Sequence, residues 1–262
     1  MSTAVSFSPS LGRLRTSWEY VKETFLPELK ILEEKNMLSE TGPGELIWET
    51  KSKFVLKVPL STGGFAVVKK YRRIPKPSKY LLRLSPCGLE ACNFGSFEAL
   101  GIPLPELLAV GETRENFRLK TAFIITRFAE NFLDGRAFAP GREGRDDSGA
   151  MKEFLRRNVV ELARCHDARI VHRGFTPANL MWKKRVSPDE KGNTLDLLWI
   201  DLASCRKRPF FIVNALCSRE LEMLFAPLEL SEEVRGELIA LYCGNRKKFP
   251  PAEKRLRKKL LN

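Results

Sequence analysis

The sequence predicts an α+β fold with two lobes, in which a small β-rich lobe precedes a larger helical lobe. Short apolar segments separated by turn residues fill the first half of the 262-residue chain, and longer helical patterns fill the second half. Strands and helices segregated in this way are typical of α+β architectures. Hydrophobic residues make up 43% of the chain, an ordinary share for a globular protein with a substantial core.

The β-rich lobe, residues 45–128, is expected to follow an N-terminal helical extension, residues 1–44. Apolar residues at helical spacing predict a helix from Ser17 to Leu38, which Pro27 would bend or interrupt. The breaker cluster Thr41–Gly44 ends the extension. The elements predicted for the lobe are strands at Glu45–Trp48, Phe54–Pro59, Phe65–Tyr71, Leu107–Val110 and Leu119–Phe128, and a helix at Leu89–Leu100.

The helical lobe is assigned to residues 129–245. A helix is predicted over Met151–Asp167, and the segment from about Ser218 to Cys243 is also expected to be helical. Between them, the short apolar runs Leu180–Trp182 and Leu195–Ile200 predict two strands around a polar loop.

Residues 246–262 are assigned to a basic C-terminal tail. The formal net charge is +13, and Arg246–Lys259 contributes eight basic residues against one acid. Such a run is either a solvated tail or a segment attracted to a polyanion, namely anionic lipid, a phosphorylated glycan or nucleic acid. Because no zinc-finger, RRM or helix-turn-helix signature accompanies it, specific nucleic-acid recognition is not predicted.

Several other classes of protein are disfavoured by the sequence. No stretch approaches about 18 consecutive apolar residues, so no transmembrane helix is expected. The N-terminal segment lacks the basic and apolar regions of a signal peptide. The six cysteines contain no CxxC pair, which argues against a disulfide framework or a zinc cluster. We therefore expect a cytoplasmic protein with reduced thiols.

Four features that could carry chemistry follow one another along the chain. Lys69 ends an apolar strand, where it could neutralise phosphate, although lysines also protect strand edges. Glu90 could pair with it from the next helix, or could simply be an acid favoured by the helix dipole. The polar loop His172–Asn179 precedes a strand, and Asp201 follows the apolar residues Leu198–Ile200. An acid in that position more often faces a cleft than the open surface.

In this order the features resemble the protein-kinase signature set. More specifically, Val-Val-Lys-Lys-Tyr-Arg-Arg around Lys69, and Glu90 followed by Gly-Ile-Pro-Leu-Pro-Glu, resemble the lipopolysaccharide kinase (Kdo/WaaP) family. His-Arg-Gly-Phe-Thr-Pro-Ala-Asn and Ile-Asp-Leu around Asp201 are similar to it as well. The resemblance covers roughly Ile47 to Arg208 and implies a two-lobed protein-kinase-like fold.

The resemblance implies a nucleotide site that binds ATP and Mg²⁺. Lys69 would contact the α- and β-phosphates and would be held by Glu90, and it is preferred over Lys70 because of the family's Lys-basic-Tyr pattern. Asp201 would bind Mg²⁺, and Asn179 would hold a second Mg²⁺ or orient the loop. His172 would organise the loop.

Two backbone segments would complete the nucleotide site. The hinge would lie at Thr126–Ala129, with Thr126 and Phe128 offering backbone groups to the adenine. The turn Ser61–Gly64 would cover the phosphates through Gly63 and Gly64, although it lacks a full GxGxxG pattern.

One departure from the family pattern puts catalysis in doubt, because the catalytic Asp falls at Gly174. Glycine cannot accept a proton from a substrate hydroxyl, and losing a positioned base costs on the order of 10²–10⁴ in rate. The first hypothesis is a weakened kinase that phosphorylates a sugar hydroxyl of a lipopolysaccharide core or related anionic glycolipid at the inner membrane. The second is a pseudokinase that binds nucleotide or acts as a scaffold. The third is a basic RNA- or membrane-binding protein, and in the first and third the basic tail could contact an anionic membrane.

Overall fold

A computed structural model of the chain describes residues 15–39, 42–74, 77–80, 83–185 and 195–261. The N-terminal segment before Arg15, Thr41 of the predicted breaker cluster and most of the polar loop after Lys184 lie outside these residues. The chain divides into two compact units. The first unit comprises Met1–Phe94 and Pro105–Glu130, and the second comprises Gly95–Leu104 and Asn131–Asn262.

The first unit is built on an antiparallel sheet that has six strands within the described residues. Its strands are β1 Arg15–Val21, β2 Glu45–Glu49, β3 Lys53–Pro59, β4 Phe65–Tyr71, β5 Leu107–Glu115 and β6 Arg118–Arg127. Their order across the sheet is β1-β5-β6-β4-β3-β2. The helices are α1, Leu26–Glu34, and α2, Pro86–Glu98, which enters the second unit's range at Gly95. The predicted strands and the second predicted helix are confirmed, with small shifts at most of their ends. The exception is β5, which runs to Glu115 and not to the predicted end at Val110.

The predicted helix from Ser17 is wrong at its beginning, because Arg15–Val21 forms strand β1. This strand pairs with β5, with Thr16 opposite Thr113 and Tyr20 opposite Val110. β-Branched and aromatic residues favour a strand wherever a free sheet edge offers backbone partners. The helix begins only at Leu26, and Pro27 occupies its first turn, where a missing N–H costs nothing. Pro27 therefore starts the helix instead of bending it.

The core of the first unit joins the sheet to α1, so the described part of the predicted extension belongs to this unit. Alternate residues of β3 and β4 point into the core, as the two-residue period of a strand requires. They pack with apolar side chains of α1 and β5. The cluster includes Leu29, Leu32, Leu56, Val58, Ala66, Val68, Leu108 and Ile125.

The second unit is mainly helical and contains short strands. Its helices are α3 Ser148–Asp167, α4 Phe210–Phe225, α5 Glu232–Asn245 and α6 Glu253–Leu260. Its strands are β7 Leu133–Asp134, β8 Ile170–Val171, β9 Leu180–Lys184, β10 Leu195–Trp199 and β11 Arg206–Lys207. They form two antiparallel sheets in the orders β10-β9-β7 and β11-β8. Among the described residues, no helix has the length and apolar character needed to span a membrane.

The basic C-terminal stretch is folded onto the second unit over most of its described length. The Arg246 side chain is fully buried, and its Nε donates to Asp167 Oδ1 at 2.8 Å. In α6, the buried side chains of Leu256 and Leu260 form an apolar stripe one turn apart. The segment predicted as a tail is thus partly core, and its remaining basic residues lie on the outer face.

Candidate active site

A buried ion pair joins two predicted site residues in the first unit. Lys69 Nζ lies 3.0 Å from Glu90 Oε2 and 3.2 Å from Oε1, and the two residues are 9% and 4% exposed. Lys69 sits on β4, which lies inside the sheet between β6 and β3. The lysine therefore does not protect a sheet edge, and its charge is held inside the unit by a carboxylate.

The neighbouring lysine is held differently. Lys70 Nζ donates to the backbone carbonyl of Leu38 at 3.3 Å, and burial lowers the pKa of Lys70. Successive strand side chains point to opposite faces of a sheet. Lys69 is thus the lysine that lies with Glu90, in agreement with the choice made from the sequence pattern.

The turn between β3 and β4 contains the two predicted phosphate-covering glycines. Gly63 and Gly64 have φ values of +91° and +74°, which side chains rarely tolerate. Leu60 N donates to the Gly64 carbonyl at 3.0 Å and closes the turn. Glu28 of α1, which is 4% exposed, accepts a bond from Ser61 N at 2.7 Å and another from the Ser61 hydroxyl. A buried carboxylate therefore anchors the beginning of the turn.

The predicted hinge residues lie beside the first half of β4. Thr126 is opposite Val67 in the sheet. Phe128 N donates to the Phe65 carbonyl at 2.9 Å, and the two phenyl rings meet edge to face. The first unit thus brings the predicted lysine, glutamate, glycine turn and hinge to one strand and its immediate neighbours.

The remaining predicted site residues lie in the loop of the second unit that follows α3 and β8. Asn179 Nδ2 donates to the Gly174 carbonyl at 2.8 Å, which ties the two ends of the loop together. Ile200 N donates to the Asn179 carbonyl at 2.9 Å. Asp201, the next residue, is thereby held close to Asn179 along the backbone.

Asp201 adopts a backbone conformation that few non-glycine residues share. Its φ and ψ are 58° and 56°, in the left-handed region, and Ile200 separates it from the end of β10. Arg173 in the loop also has a positive φ, of 63°. Such conformations cost on the order of 1–3 kcal/mol and are concentrated at functional sites. Nine non-glycine residues in the described ranges have a positive φ, and these two lie in segments singled out by their sequence.

His172 is fully buried inside an aromatic cluster. Its ring meets Phe97, Phe175 and Trp199 at centroid distances of 6.3, 6.0 and 5.8 Å. Burial lowers the pKa of His172 and outweighs the opposing charges of Glu220 and Asp201. Gly174 N donates to His172 Nδ1 at 3.3 Å, so the imidazole braces the loop from inside.

Gly174 has room for a Cβ atom. A Cβ added there would lie 3.4 Å from Asn179 Nδ2, 3.5 Å from Ser204 Oγ and 3.6 Å from His172 Nδ1, which are ordinary contact distances. Gly174 is also not one of the described glycines that have a positive φ. Neither space nor backbone conformation therefore requires glycine at this position.

Sequence reasoning missed a buried polar network that supports this loop. Glu220 of α4, which is 1% exposed, accepts a bond from Arg173 N at 2.5 Å through Oε1. Its Oε2 lies 2.7 Å from His166 Nε2, and His166 Nδ1 lies 2.5 Å from the Tyr242 hydroxyl. Arg246 donates to that hydroxyl at 2.7 Å and to Asp167 at 2.8 Å. The loop backbone is thus linked to the beginning of the basic stretch.

Little in the sequence marks this network or the Glu28 anchor. Glu220 and Glu28 each belong to a helix, where an isolated acid reads as a surface residue. The partners lie 47 residues away for Glu220 and Arg173, and 33 residues away for Glu28 and Ser61. One residue of the network does stand out in the sequence. His166 is a histidine among the apolar residues on one face of α3, and it is buried.

Comparisons with known proteins agree with this fold. The family model described as lipopolysaccharide kinase (Kdo/WaaP) family matches residues 86–235, more than half of the chain. A solved structure described as WaaP in complex with acyl carrier protein is 17% identical, with a TM-score of 0.58, over 95% of this chain and 100% of that one. This likeness confirms the predicted protein-kinase-like α+β fold.

A second solved structure is more distant. The Rio2 kinase–ADP/Mg²⁺–phosphoaspartate complex from Chaetomium thermophilum is 14% identical, with a TM-score of 0.43, over 89% of this chain and 72% of that one. Among curated proteins, no sequence matches the chain.

Proposed function

The chain belongs to the lipopolysaccharide kinase (Kdo/WaaP) family, and we propose that it transfers the γ-phosphoryl group of ATP to a sugar hydroxyl of a lipopolysaccharide core or related glycolipid. Use of ATP and a divalent metal is implied at the level of the family. The observation that carries the proposal is the buried Lys69–Glu90 ion pair, which fixes the lysine Nζ on a strand inside the sheet.

The first unit would bind the nucleotide. Lys69 would neutralise the α- and β-phosphates, and Glu90 would position it. Backbone groups at Gly63 and Gly64 would approach the phosphates, because residues without a side chain permit that approach. Backbone groups at Thr126 and Phe128 would meet the adenine. Bound ATP supplies the phosphoryl group, and its Mg²⁺ offsets the phosphate charge.

The second unit would hold the metal. The carboxylate of Asp201 and the side-chain oxygen of Asn179 are the oxygen ligands that Mg²⁺ prefers. The Asn179 amide nitrogen is already used by the Gly174 carbonyl, so its oxygen is turned to the other side of the amide. The donor set and the fixed amide both fit a divalent cation.

Gly174 limits the expected rate. No carboxylate at this position can align the acceptor hydroxyl or take its proton, and such a loss lowers rates by about 10²–10⁴. Positioning and electrostatic stabilisation would still support slow transfer. The alternative proposal is a pseudokinase that binds nucleotide without transferring the phosphoryl group. Gly174 favours this alternative.

A glycolipid acceptor also indicates the cellular location in which the protein would act. We propose a cytoplasmic enzyme acting at the inner membrane, with ATP and an anionic sugar or glycolipid as its substrates. The formal charge of +13 supports attraction to such a surface.

Nucleotide binding is tested by the thermal shift that Mg-ATP produces in the full chain. We expect a rise in melting temperature for the wild type and for Lys70→Met, and none for Lys69→Met or Asp201→Asn. Lys70 is the matched control because it lies next to Lys69 on the same strand and contacts a backbone carbonyl instead of Glu90. An absent shift in the wild type, or an equal shift in the Lys69 and Lys70 variants, would exclude this nucleotide site.

Catalysis is tested at Gly174, where a Cβ meets its neighbours at ordinary contact distances. Gly174→Asp is expected to raise phosphorylation of a lipopolysaccharide acceptor by on the order of 10²-fold or more. Gly174→Asn, with the same shape and no base, is the control and should not raise it. If the wild type binds Mg-ATP and neither it nor Gly174→Asp transfers phosphate, the pseudokinase proposal replaces the kinase.

A further inference from the structure

A pocket between α4 and the beginning of α6 lies apart from the residues proposed for catalysis. Its volume is about 210 Å³. It belongs entirely to the second unit and will be called the α4–α6 pocket. It is lined by Asn214, Ser218, Pro250, Pro251, Ala252, Arg255, Leu256 and Lys259.

The polar side chains of the pocket come in pairs one helical turn apart. Asn214 and Ser218 lie four residues apart on α4, and Arg255 and Lys259 lie four residues apart on α6, so each pair shares a helix face. Asn214 is fixed, because its Nδ2 donates to the Phe249 carbonyl at 2.9 Å and its Oδ1 accepts from Arg246 at 3.2 Å. The pocket wall is therefore partly rigid.

The charge of the pocket is positive and not balanced by neighbouring acids. Arg255 and Lys259 are exposed, and neither forms an ion pair with a residue in the described parts of the chain. By contrast, Arg257 of the same helix pairs with Glu253 at 2.7 Å. Further exposed lysines, Lys247, Lys248, Lys254 and Lys258, flank the pocket along the chain. A phosphate group is the anion that two such cations and a serine hydroxyl suit.

Two exposed phenylalanines adjoin the pocket. Phe211 and Phe249 are 74% and 64% exposed, the largest values among exposed large hydrophobic residues in the described ranges. Phe211 precedes Asn214 by three residues, so it shares the α4 face that lines the pocket. Phe249 precedes Pro250, and its carbonyl is bound by Asn214. Its left-handed backbone, with φ of 48°, is held in place by these contacts.

We propose that the α4–α6 pocket and these two rings form a docking surface for an anionic membrane. The pocket would take the phosphate of a lipid headgroup, and Phe211 and Phe249 would enter the interface. A bilayer suits both features at once, because apolar rings gain by leaving water while basic side chains meet lipid phosphates. The inference deepens the proposed action on a glycolipid, but the docking itself requires neither nucleotide nor phosphoryl transfer.

The test is cosedimentation of the full chain with vesicles, without ATP. One set of vesicles contains equal parts of phosphatidylglycerol and phosphatidylcholine, and the other contains phosphatidylcholine alone. We expect the wild type to bind the anionic vesicles preferentially. The pocket variant Arg255→Gln/Lys259→Gln is expected to bind them roughly 30-fold more weakly. The ring variant Phe211→Ser/Phe249→Ser should also lose most of the binding.

A charge-matched control separates docking from general attraction. Lys30→Gln/Lys35→Gln removes the same charge from exposed positions on and just after α1 in the first unit. It should weaken vesicle binding by less than about threefold, because it lowers only the general attraction of a protein with a net charge of +13 and leaves the docking residues in place. All the substituted side chains are exposed, and Phe249 also packs on the Phe210 ring with centroids 4.5 Å apart. Melting temperatures close to that of the wild type are therefore expected and would confirm folding.

Several outcomes would overturn the proposal. One is equal binding to both kinds of vesicle, and another is an equal loss in the pocket and control variants. Competition by inorganic phosphate together with an unaffected ring variant would assign the pocket to a soluble phosphate compound. Loss of RNA binding in the pocket and ring variants, with vesicle binding retained, would assign the surface to nucleic acid. Because the proposed nucleotide site is untouched, the Mg-ATP thermal shift of these variants reports separately on the proposed kinase function.

Discussion

Two buried glutamates anchor the glycine turn and the loop that contains Gly174, and they do so in different ways. In the first unit, Glu28 holds the glycine turn through the backbone N–H and hydroxyl of the single residue Ser61. In the second unit, Glu220 holds the loop that contains Gly174 through Arg173 N, and it also contacts His166. One anchor lies in the first turn of a short helix, and the other is part of a network running through a helical core.

The two anchors differ in what can replace the glutamate carboxylate when it is removed. Ser61 is exposed, so water can solvate its freed N–H and hydroxyl. His166 is completely buried, and its other nitrogen contacts Tyr242, so water cannot easily substitute there. A buried polar group left without a partner costs its full desolvation energy. We infer that the glycine turn is adjustable whereas the second-unit loop is built into its core.

The largest expected effect follows from Glu220→Ala. Removing the carboxylate leaves Arg173 N and His166 Nε2 without their acceptor, and the free energy of unfolding should fall by about 3 kcal/mol or more. Hydrogen exchange of the loop around Arg173 should accelerate. Denaturant unfolding and exchange mass spectrometry measure both effects.

The control for Glu220→Ala is Glu222→Ala on the same helix. Its carboxylate is 43% exposed and lies 3.8 Å from Arg235, so its removal should change stability by no more than about 0.5 kcal/mol. Equal effects of the two substitutions would contradict the network.

A smaller effect is expected from Tyr242→Phe. The substitution keeps the ring and removes the hydroxyl that lies between His166 and Arg246. The unfolding free energy should fall by about 1–3 kcal/mol, and loop exchange should change less than in Glu220→Ala. Tyr20→Phe, at a half-buried position on β1, is the comparison. If Tyr242→Phe leaves the unfolding free energy unchanged, the network ends at His166.

The smallest change in stability is expected from Glu28→Ala, at no more than about 1 kcal/mol, because water replaces the anchor of Ser61. The glycine turn should nevertheless exchange faster, and the Mg-ATP thermal shift should shrink. Glu34→Ala, an exposed acid at the end of α1, is the control for both measurements. A stability loss as large as that of Glu220→Ala would refute the contrast between the two loops.

The features that sequence reasoning found are those that short stretches of sequence encode locally. Phe65–Tyr71 has strand composition, Met151–Asp167 has helical spacing, and glycines mark the turn before Phe65. The motifs around Lys69, Glu90, Gly174 and Asp201 also keep their order and spacing, so the resemblance could be recognised. The pairing of Lys69 with Glu90 could be predicted because each lies in an element that the local sequence indicates.

The features that it missed depend on contacts between distant segments. Arg15–Val21 is a strand because β5 offers it an edge, and no local pattern of Ser17–Leu38 reports that edge. Arg246 resembles the rest of a solvated basic run until Asp167, 79 positions earlier, is found beside it. Glu28 and Glu220 carry no mark that separates them from surface acids.

The sequence by itself determined the kind of protein, because the chemistry of each motif is set by residue types at fixed short separations and the turns and periods around them are local. Only the tertiary structure decided which charges are buried, which carboxylate holds which loop, and which part of the basic stretch is core. Those outcomes depend on desolvation and on hydrogen-bond partners supplied by other elements, and neither can be read from neighbours along the chain.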